Sequence, residues 1–427
     1  MHRSTAAALV AALVALVSWA SLAGAQTEAR IGVEKYKTEK TPIWLQPTSA
    51  AGGDGRGAEF AGQAFEVLKS DMDRSGFFRI AEAPADSLID PGATLAAALV
   101  KSQLSASDGR VTLEGSLLNL PSLQVIMKKG YRGGEDALRR IVHRLSDEIV
   151  KYLTGEEGIA RTRIAFVRRT AGIEELYSMD YDGFGIQRIT EERALLISPA
   201  WSPDGRRISY TSFRSGNPDL YVLDLGDRKS RAVSRQPGLD AASAWSPDGT
   251  KLALSLTKDD NSEIYVMGAD GSEPRRLTSH RGIDTSPCWS PSGLEIVFTS
   301  DRSGAPQLYV MGADGSNVRR LTFDGTYNDQ AAWSPSGEKI AYSSRFEGRF
   351  HIVTVDASGY NPMLLTDSRG TNEDPAWAPD GRHLVFASSR SGNREIYVMN
   401  GDGTDQRRLT TGPGDSYNPT WSPRFED

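Results

Sequence analysis

Five histidines and one cysteine are the residues of this 427-residue chain best suited to bond chemistry. His2, His143, His280, His351 and His383 form no His-x-His or His-Glu-x-x-His pair, so no two imidazoles are spaced to share a metal. Cys288 is alone, which excludes an intramolecular disulfide framework and a Cys-rich zinc module. No Gly-x-Ser-x-Gly occurs, so a serine hydrolase would lack its nucleophile elbow, and no phosphate-binding glycine loop stands between a strand and a helix. His143 and Asp147 stand at i and i+4 of a predicted helix, opposite its apolar stripe. They read as a surface pair worth a few tenths of a kcal/mol, with a domain-interface role as the alternative. Cys288 precedes Trp289, and its periodic equivalents are Ala200, Ala244, Ala332, Ala376 and Thr420. That series specifies a small buried slot rather than a reactive thiol.

The remaining candidates are oxygens and amides that recur in glycine-led loops: Asp240, Asp284 with Thr285, Asn328 with Asp329, Asn372 with Glu373, and Tyr417 with Asn418. They change from repeat to repeat while the framework does not, which is how a binding surface differs from its scaffold. A ring of Asp, Asn and Glu oxygens also has the chemistry that Ca²⁺ requires. A metal-dependent propeller hydrolase of the lactonase kind therefore stands as the alternative to a protein-binding mouth, and ordinary loop polarity as the plain one. The composition sets limits on both. Lys and Arg number 49 against 55 Asp and Glu, a net charge of −6, which argues against nucleic-acid binding through a basic surface.

These loops are positioned by a repeat. Trp201, Trp245, Trp289, Trp333, Trp377 and Trp421 are spaced 44 residues apart, mostly within Trp-Ser-Pro-(Asp/Ser)-Gly. Tyr177, Tyr221, Tyr265, Tyr309 and Tyr397 keep a second phase, and Thr190, Ser234, Thr278, Thr322, Thr366 and Thr410 a third. A period in the forties with four short alternating strands per unit is a propeller blade. The array opens on a second strand at Ile164 and ends on a first strand at Trp421, so Tyr417–Pro423 is expected to complete the first blade and remove an open edge. The doublets Arg275-Arg276, Arg319-Arg320 and Arg407-Arg408 then fall on outermost strands, where charge blocks edge-to-edge pairing. The loops before each Trp should ring one mouth of the channel.

Upstream the pattern changes. Residues 58–75 and 135–153 carry apolar side chains at helical spacing, and 110–120 and 123–128 alternate as paired strands. Arg3, an apolar run over Ala6–Ala20 and Ala23-Gly24-Ala25 read as an export signal cut between Ala25 and Gln26. The expected organisation is a cleaved signal over 1–25, an α/β domain over 26–157 and a propeller over 158–427. The fold class is an α+β N-terminal domain followed by an all-β six-bladed propeller.

Several segments carry a family resemblance. Ser70-Asp71-Met72-Asp73-Arg74-Ser75-Gly76-Phe77-Phe78, His143-Arg144-Leu145-Ser146-Asp147, Leu153-Thr154-Gly155-Glu156-Glu157-Gly158 and Thr162-Arg163-Ile164 resemble the TolB family, the periplasmic propeller proteins of the Tol–Pal envelope system. The likeness runs the length of the chain after the signal. Residues 40–50 and 156–163 depart from the family pattern, with Ile159 and Ala160 where an aromatic usually precedes Thr-Arg-Ile. The resemblance implies a non-enzymatic periplasmic adaptor without a cofactor, any channel Ca²⁺ being adventitious. It implies binding of the lipoprotein Pal, and of other outer-membrane lipoproteins, at the propeller mouth. It also implies binding of TolA through the N-terminal segment that includes Arg30, Ile31 and Val33, in support of outer-membrane integrity and constriction at division.

Overall fold

The computed structural model describes residues 40–51, 55–83, 96–120, 122–366 and 370–425. The expected export signal, its cleavage point and the N-terminal segment with Arg30, Ile31 and Val33 lie outside these residues. Among the described residues no helix is long and apolar enough to cross a membrane.

The first domain is a sheet with two helices. Its strands are β1 (Thr41–Leu45), β2 (Ser49–Ala50), β3 (Phe78–Glu82), β4 (Ala98–Ser107), β5 (Arg110–Asn119) and β6 (Val125–Gly134), and its helices are α1 (Gly55–Arg74) and α2 (Leu138–Thr154). The sheet order is β3-β1-β4-β5-β6, parallel at β3-β1-β4 and antiparallel beyond. Ala61, Ala64, Phe65, Leu68 and Met72 of α1 meet Leu138, Ile141, Val142, Leu145 and Ile149 of α2 in one core with Ile43, Leu104 and Leu113. The apolar spacing of both helices dictates this face. Gly115 lets α2 lie close to β5, since a Cβ there would sit 2.4 Å from Leu145 Cδ1. Gly155, at φ 77°, ends α2 by donating its N–H to Lys151 O at 2.8 Å.

Six four-stranded antiparallel sheets follow. Blade 1 combines the strand Asp415–Trp421 with Arg163–Thr170, Ile173–Asp180 and Gln187–Arg188. The chain end is thus the innermost strand of the first blade, with Asp415 opposite Arg169 and Trp421 opposite Ile164. Blades 2 to 6 begin with Leu196–Trp201, Asp240–Trp245, Asp284–Trp289, Asn328–Trp333 and Asn372–Trp377.

The periodic residues hold blades together in two ways. Each Trp packs against the preceding blade, as Trp289 does with Ala253, Ile264 and Val266. The indole N–H of Trp245 donates to Ala200 O at 3.2 Å and that of Trp377 to Ala332 O at 3.1 Å. The residue before each Trp is small because the next indole docks there. Cys288 fills that slot in blade 4, and Trp333 instead donates to Gly337 O at 3.1 Å. Burial pushes the Cys288 thiol pKa up, which suits a packing role. The Thr phase pins the short outer strands. Thr278 Oγ1 accepts the Ile264 N–H at 2.9 Å and donates to the buried Glu263 at 2.6 Å, a bond pair repeated by Thr322 with Leu308 and Gln307.

Ring closure rests on one chain-end strand, so deleting residues 415–427 should abolish the single cooperative thermal transition of the propeller. Calorimetry that shows an unchanged transition would contradict this.

Candidate functional site

Every innermost strand starts at the same end of the channel, beside the connection between second and third strands. Asp240 N donates to Pro218 O, Asp284 N to Ser262 O and Asn328 N to Pro306 O, each at 2.9 Å. Each of these six strands is bulged near its third residue. The bulged residues Ser198, Ala242, Ser286, Gln330, Asp374 and Asn418 all have positive φ, between 46° and 58°. A non-glycine residue held there costs on the order of 1 kcal/mol, and such positions gather at functional sites. Proline follows in four of the six, at Pro199, Pro287, Pro375 and Pro419, where a bulge needs no ladder donor.

The candidate residues divide by their place on the strand. Asp240, Asp284, Asn328 and Asn372 open their strands and are fully buried, so the expectation that they face the mouth is corrected. Their side chains are bonded within their own blade, to the preceding blade or to the connection between the two. Asp284 accepts from Arg302 at 2.7 Å. Asn328 donates to Gln307 at 3.0 Å and to Asp324 O at 2.7 Å. Asn372 accepts from Ser388 at 2.8 Å and Arg390 at 2.7 Å. Asp240 accepts the Gln236 N–H at 2.9 Å, and burial, helped by Asp219, pushes its carboxyl up to about 6. Period-44 alignment shows that these four share an environment but does not show which way they turn.

Thr285, Asp329, Glu373, Tyr417 and Asn418 are only partly buried. Asp329 accepts from Thr299 Oγ1 at 2.7 Å, and Glu373 from Arg394 at 3.1 Å. A relay crosses from blade to blade at the bulges. Asp374 N donates to Gln330 Oε1 at 3.2 Å, Asn418 N to Asp374 Oδ2 at 3.1 Å, and Ser198 N to Asn418 Oδ1 at 3.3 Å. It spans blades 5, 6, 1 and 2. Ala242 of blade 3 has no side-chain polar atom with which to continue it. Gln330 and Asp374 lie outside the predicted set, although their phase with Asn418 is readable in the sequence.

A second feature is cationic. Arg214, Lys258, Arg302 and Arg390 recur at the period of 44 or its multiple and lie over the rings of Tyr221, Tyr265, Tyr309 and Tyr397, between 3.9 and 5.0 Å from the centroids. The Arg-Ser-Gly at the end of the second strand or just after it in blades 2, 4 and 6 was the available signal. Among the described residues no group of three or more His, Cys, Asp or Glu side chains is placed to hold a metal ion.

His143 and Asp147 are also corrected. Both are buried, and they do not pair with each other. His143 Nδ1 lies 2.8 Å from Asp71 Oδ2, and Ser146 and Tyr181 donate to the same carboxylate at 2.7 and 2.8 Å. Burial works to lower the His143 pKa, but the charge and hydrogen bond of Asp71 outweigh it and hold it above the ordinary imidazole value. Asp147 accepts the Ala160 N–H at 2.8 Å and Arg161 Nε at 3.0 Å, tying α2 to the connecting segment. Tyr181 belongs to blade 1, and Arg139 of α2 reaches Asp182 there at 2.6 Å. Arg407 of blade 6 meets Asp73 of α1 at 2.8 Å. The apolar stripe of α2 was legible; the partner that α1 and blade 1 bring to its polar side was not. The α/β domain therefore packs on blades 1 and 6 at the end of the propeller opposite the mouth.

Comparison with known proteins follows the same division. The family model described as the TolB beta propeller domain matches residues 150–425. The chain is similar to the Tol-Pal system protein TolB of Geobacter sulfurreducens, 43% identical over 176 residues, covering 38% of this chain and 40% of that one. It is 39% identical over 221 residues to the protein of the same name from Anaeromyxobacter sp. (strain K), covering 48% and 49%. It thus spans about half the length, or less, of the curated relatives it matches. The crystal structure of TolB from Acinetobacter baumannii superposes with a TM-score of 0.80 at 27% identity, over 90% of this chain and 97% of that one.

Asp374 gives a pH test of the mouth. Burial, then the Glu373 charge, push its carboxyl up to about 7, against the Asn418 N–H and Arg394. A raised carboxyl favours the fold while protonated. Its contribution is greatest below the ordinary value near 4, falls as pH rises to about 7 and is flat above. Asp374→Asn should therefore gain melting temperature relative to the parent between pH 4 and 7 and hold a constant gain at pH 8 and above. A difference that does not change with pH would contradict the assignment.

Proposed function

The chain belongs to the TolB propeller family, and from that premise we propose that it is a non-enzymatic adaptor of the Tol–Pal system, working in the periplasm. Its partners in this reading are Pal, and other outer-membrane lipoproteins, at the propeller mouth, and TolA at the N-terminal segment with Arg30, Ile31 and Val33. The observation that carries the mouth reading is the set Thr285, Asp329, Glu373, Tyr417 and Asn418. These partly buried side chains differ from blade to blade on four strands of one geometry, at the end of the ring away from the α/β domain. Repeated architecture presents them, and their variety supplies the specificity that a symmetric ring lacks. The chemistry of the adaptor is association and release, with no bond made or broken. Linking envelope layers in this way supports outer-membrane integrity and constriction at division.

Calorimetry with the soluble domain of Pal tests it. Glu373→Ala and Asn418→Ala should each weaken binding by about tenfold, near 1.4 kcal/mol; melting temperature should hold for Glu373→Ala and fall for Asn418→Ala, which releases the Ser198 N–H. Asp284→Ala and Asn328→Ala should instead lower stability by about 1–3 kcal/mol, because each leaves buried partners unsatisfied. Equal affinity of all four variants and the parent would overturn the mouth as the Pal site. Deleting residues 26–36 should abolish capture by TolA while the propeller melts as before; retained capture would overturn the N-terminal assignment.

A further inference from the structure

The internal repeat supplies its own standard of comparison, and blade 5 departs from it most often. At the position of Arg214, Lys258, Arg302 and Arg390 it has Phe346. Where five blades have the periodic Tyr it has Val353. Where the third strand elsewhere carries a buried Glu, Asp or Gln, namely Glu175, Asp219, Glu263, Gln307 and Glu395, it has His351. Its outer strand is Met363–Leu364, in line with the Arg doublets of blades 3, 4 and 6. Blade 5 has lost the cation–tyrosine stack of blades 2, 3, 4 and 6, whereas blade 1, with Thr170 at that position, sets Arg168 over Tyr177 instead, 5.5 Å from the centroid.

What replaces the stack is an exposed, unsatisfied surface. The strands Lys339–Phe346 and Arg349–Asp356 have eight residues each, against six in blades 2, 3 and 4, so the hairpin rises about 7 Å further at 3.3 Å per residue. Blades 6 and 1 share the added length. Glu347 and Gly348, at φ 49° and 81°, make the two-residue turn that fits a twisted hairpin. Phe346 packs down against the core between blades 4 and 5 and anchors it. Above, Phe350 meets Tyr327 edge to face with centroids 5.5 Å apart, and Arg345 N donates to Tyr327 O at 2.9 Å, so the mouth loop and the hairpin form one step. Arg345 and Arg349 stand exposed at the tip, and neither guanidinium has a partner among the described residues. The contrast with Arg214, Arg302 and Arg390 is plain, since those are bonded to Glu192, Asp284 and Asn372.

We propose that the blade 5 hairpin, with Arg345, Arg349, Phe350 and Tyr327, is the anchor by which a protein partner at the mouth is gripped, through a segment that sets a carboxylate beside an apolar side chain. The carboxylate meets the guanidinium of Arg345, which the register sets opposite Phe350 on one face of the hairpin, with Arg349 opposite Phe346 on the other; a planar fork suits it better than an ammonium would. The apolar group covers the Phe350–Tyr327 step. Aromatic and arginine anchors of this kind carry most of the energy of protein interfaces. This rests on the mouth reading above and deepens it, by naming the blade and the partner chemistry.

Calorimetry of the full mature chain with the Pal soluble domain tests the anchor. Arg345→Glu with Arg349→Glu should weaken binding by about thirtyfold or more, and Phe350→Ala by about tenfold. Lys258→Glu, at the matching corner of blade 3, should change it less than about threefold. Melting curves report the fold of each variant, and Arg345→Gln with Arg349→Gln, which removes charge from two exposed sites, provides the same comparison if the reversal disturbs folding. Parent-like binding by the blade 5 variants would overturn the anchor and leave the mouth reading standing. An equal loss with Lys258→Glu would also overturn it, by showing charge alone at work. No binding by the parent chain would remove the mouth reading, and the anchor with it.

Discussion

The structure depends on a strand pairing between the two ends of the repeat array. Asp415–Trp421 must find Arg163–Thr170 across some 250 residues of intervening chain. Until it does, blade 1 lacks its inner strand, and neither blade 2 nor blade 6 has a complete face to pack against. Trp421 illustrates the dependence. It lies in one cluster with Ile164, Phe166 and Met179 of blade 1 and with Ala378, Val385 and Ile396 of blade 6. Its indole N–H donates to Thr162 Oγ1 at 2.8 Å, and Ser422 N donates to Arg163 O, also at 2.8 Å. A propeller has no separate core. It has a chain of interfaces that is stable when it returns to its start.

The α/β domain attaches where the ring closes. Arg424, just past the closing strand, donates to Gly158 O and Glu157 O, and Asp147 of α2 holds the N–H groups of Ala160 and Arg161 in the same connecting segment. Asp71, His143 and Tyr181 place a buried polar knot between the helices and blade 1. Buried charged groups pack tightly only when fully bonded, so this contact specifies one docking of the two domains. The mouth is left free at the other end.

How much of this was legible in the sequence follows from what a period can report. Equal spacing revealed the blades, the closing strand and the small slot before each Trp, because those features repeat. Orientation within a strand does not repeat at a readable scale. Asp284 and Thr285 are neighbours, yet one is bonded to Arg302 inside its blade and the other is partly open at the mouth. The same limit applies to α2. His143 and Asp147 lie off its apolar stripe, but they face α1 and the linker, which a helical wheel cannot show. The reverse lesson is that departures from the period carry information. Phe346, Val353 and His351 are unremarkable residues in isolation and become a signal only against five other blades.

The central claim is that the mouth is the protein-binding face and that the opposite end serves the domain contact. Amide hydrogen exchange on the mature chain, alone and saturated with the soluble domain of Pal, tests it most directly. The account predicts slowed exchange in the mouth segments 325–330, 345–350, 371–374 and 415–418. It predicts no change in the Trp-Ser-Pro turns 202–206, 246–250 and 290–294 at the far end. Protection confined to those turns, or spread evenly around the outer strands, would contradict it.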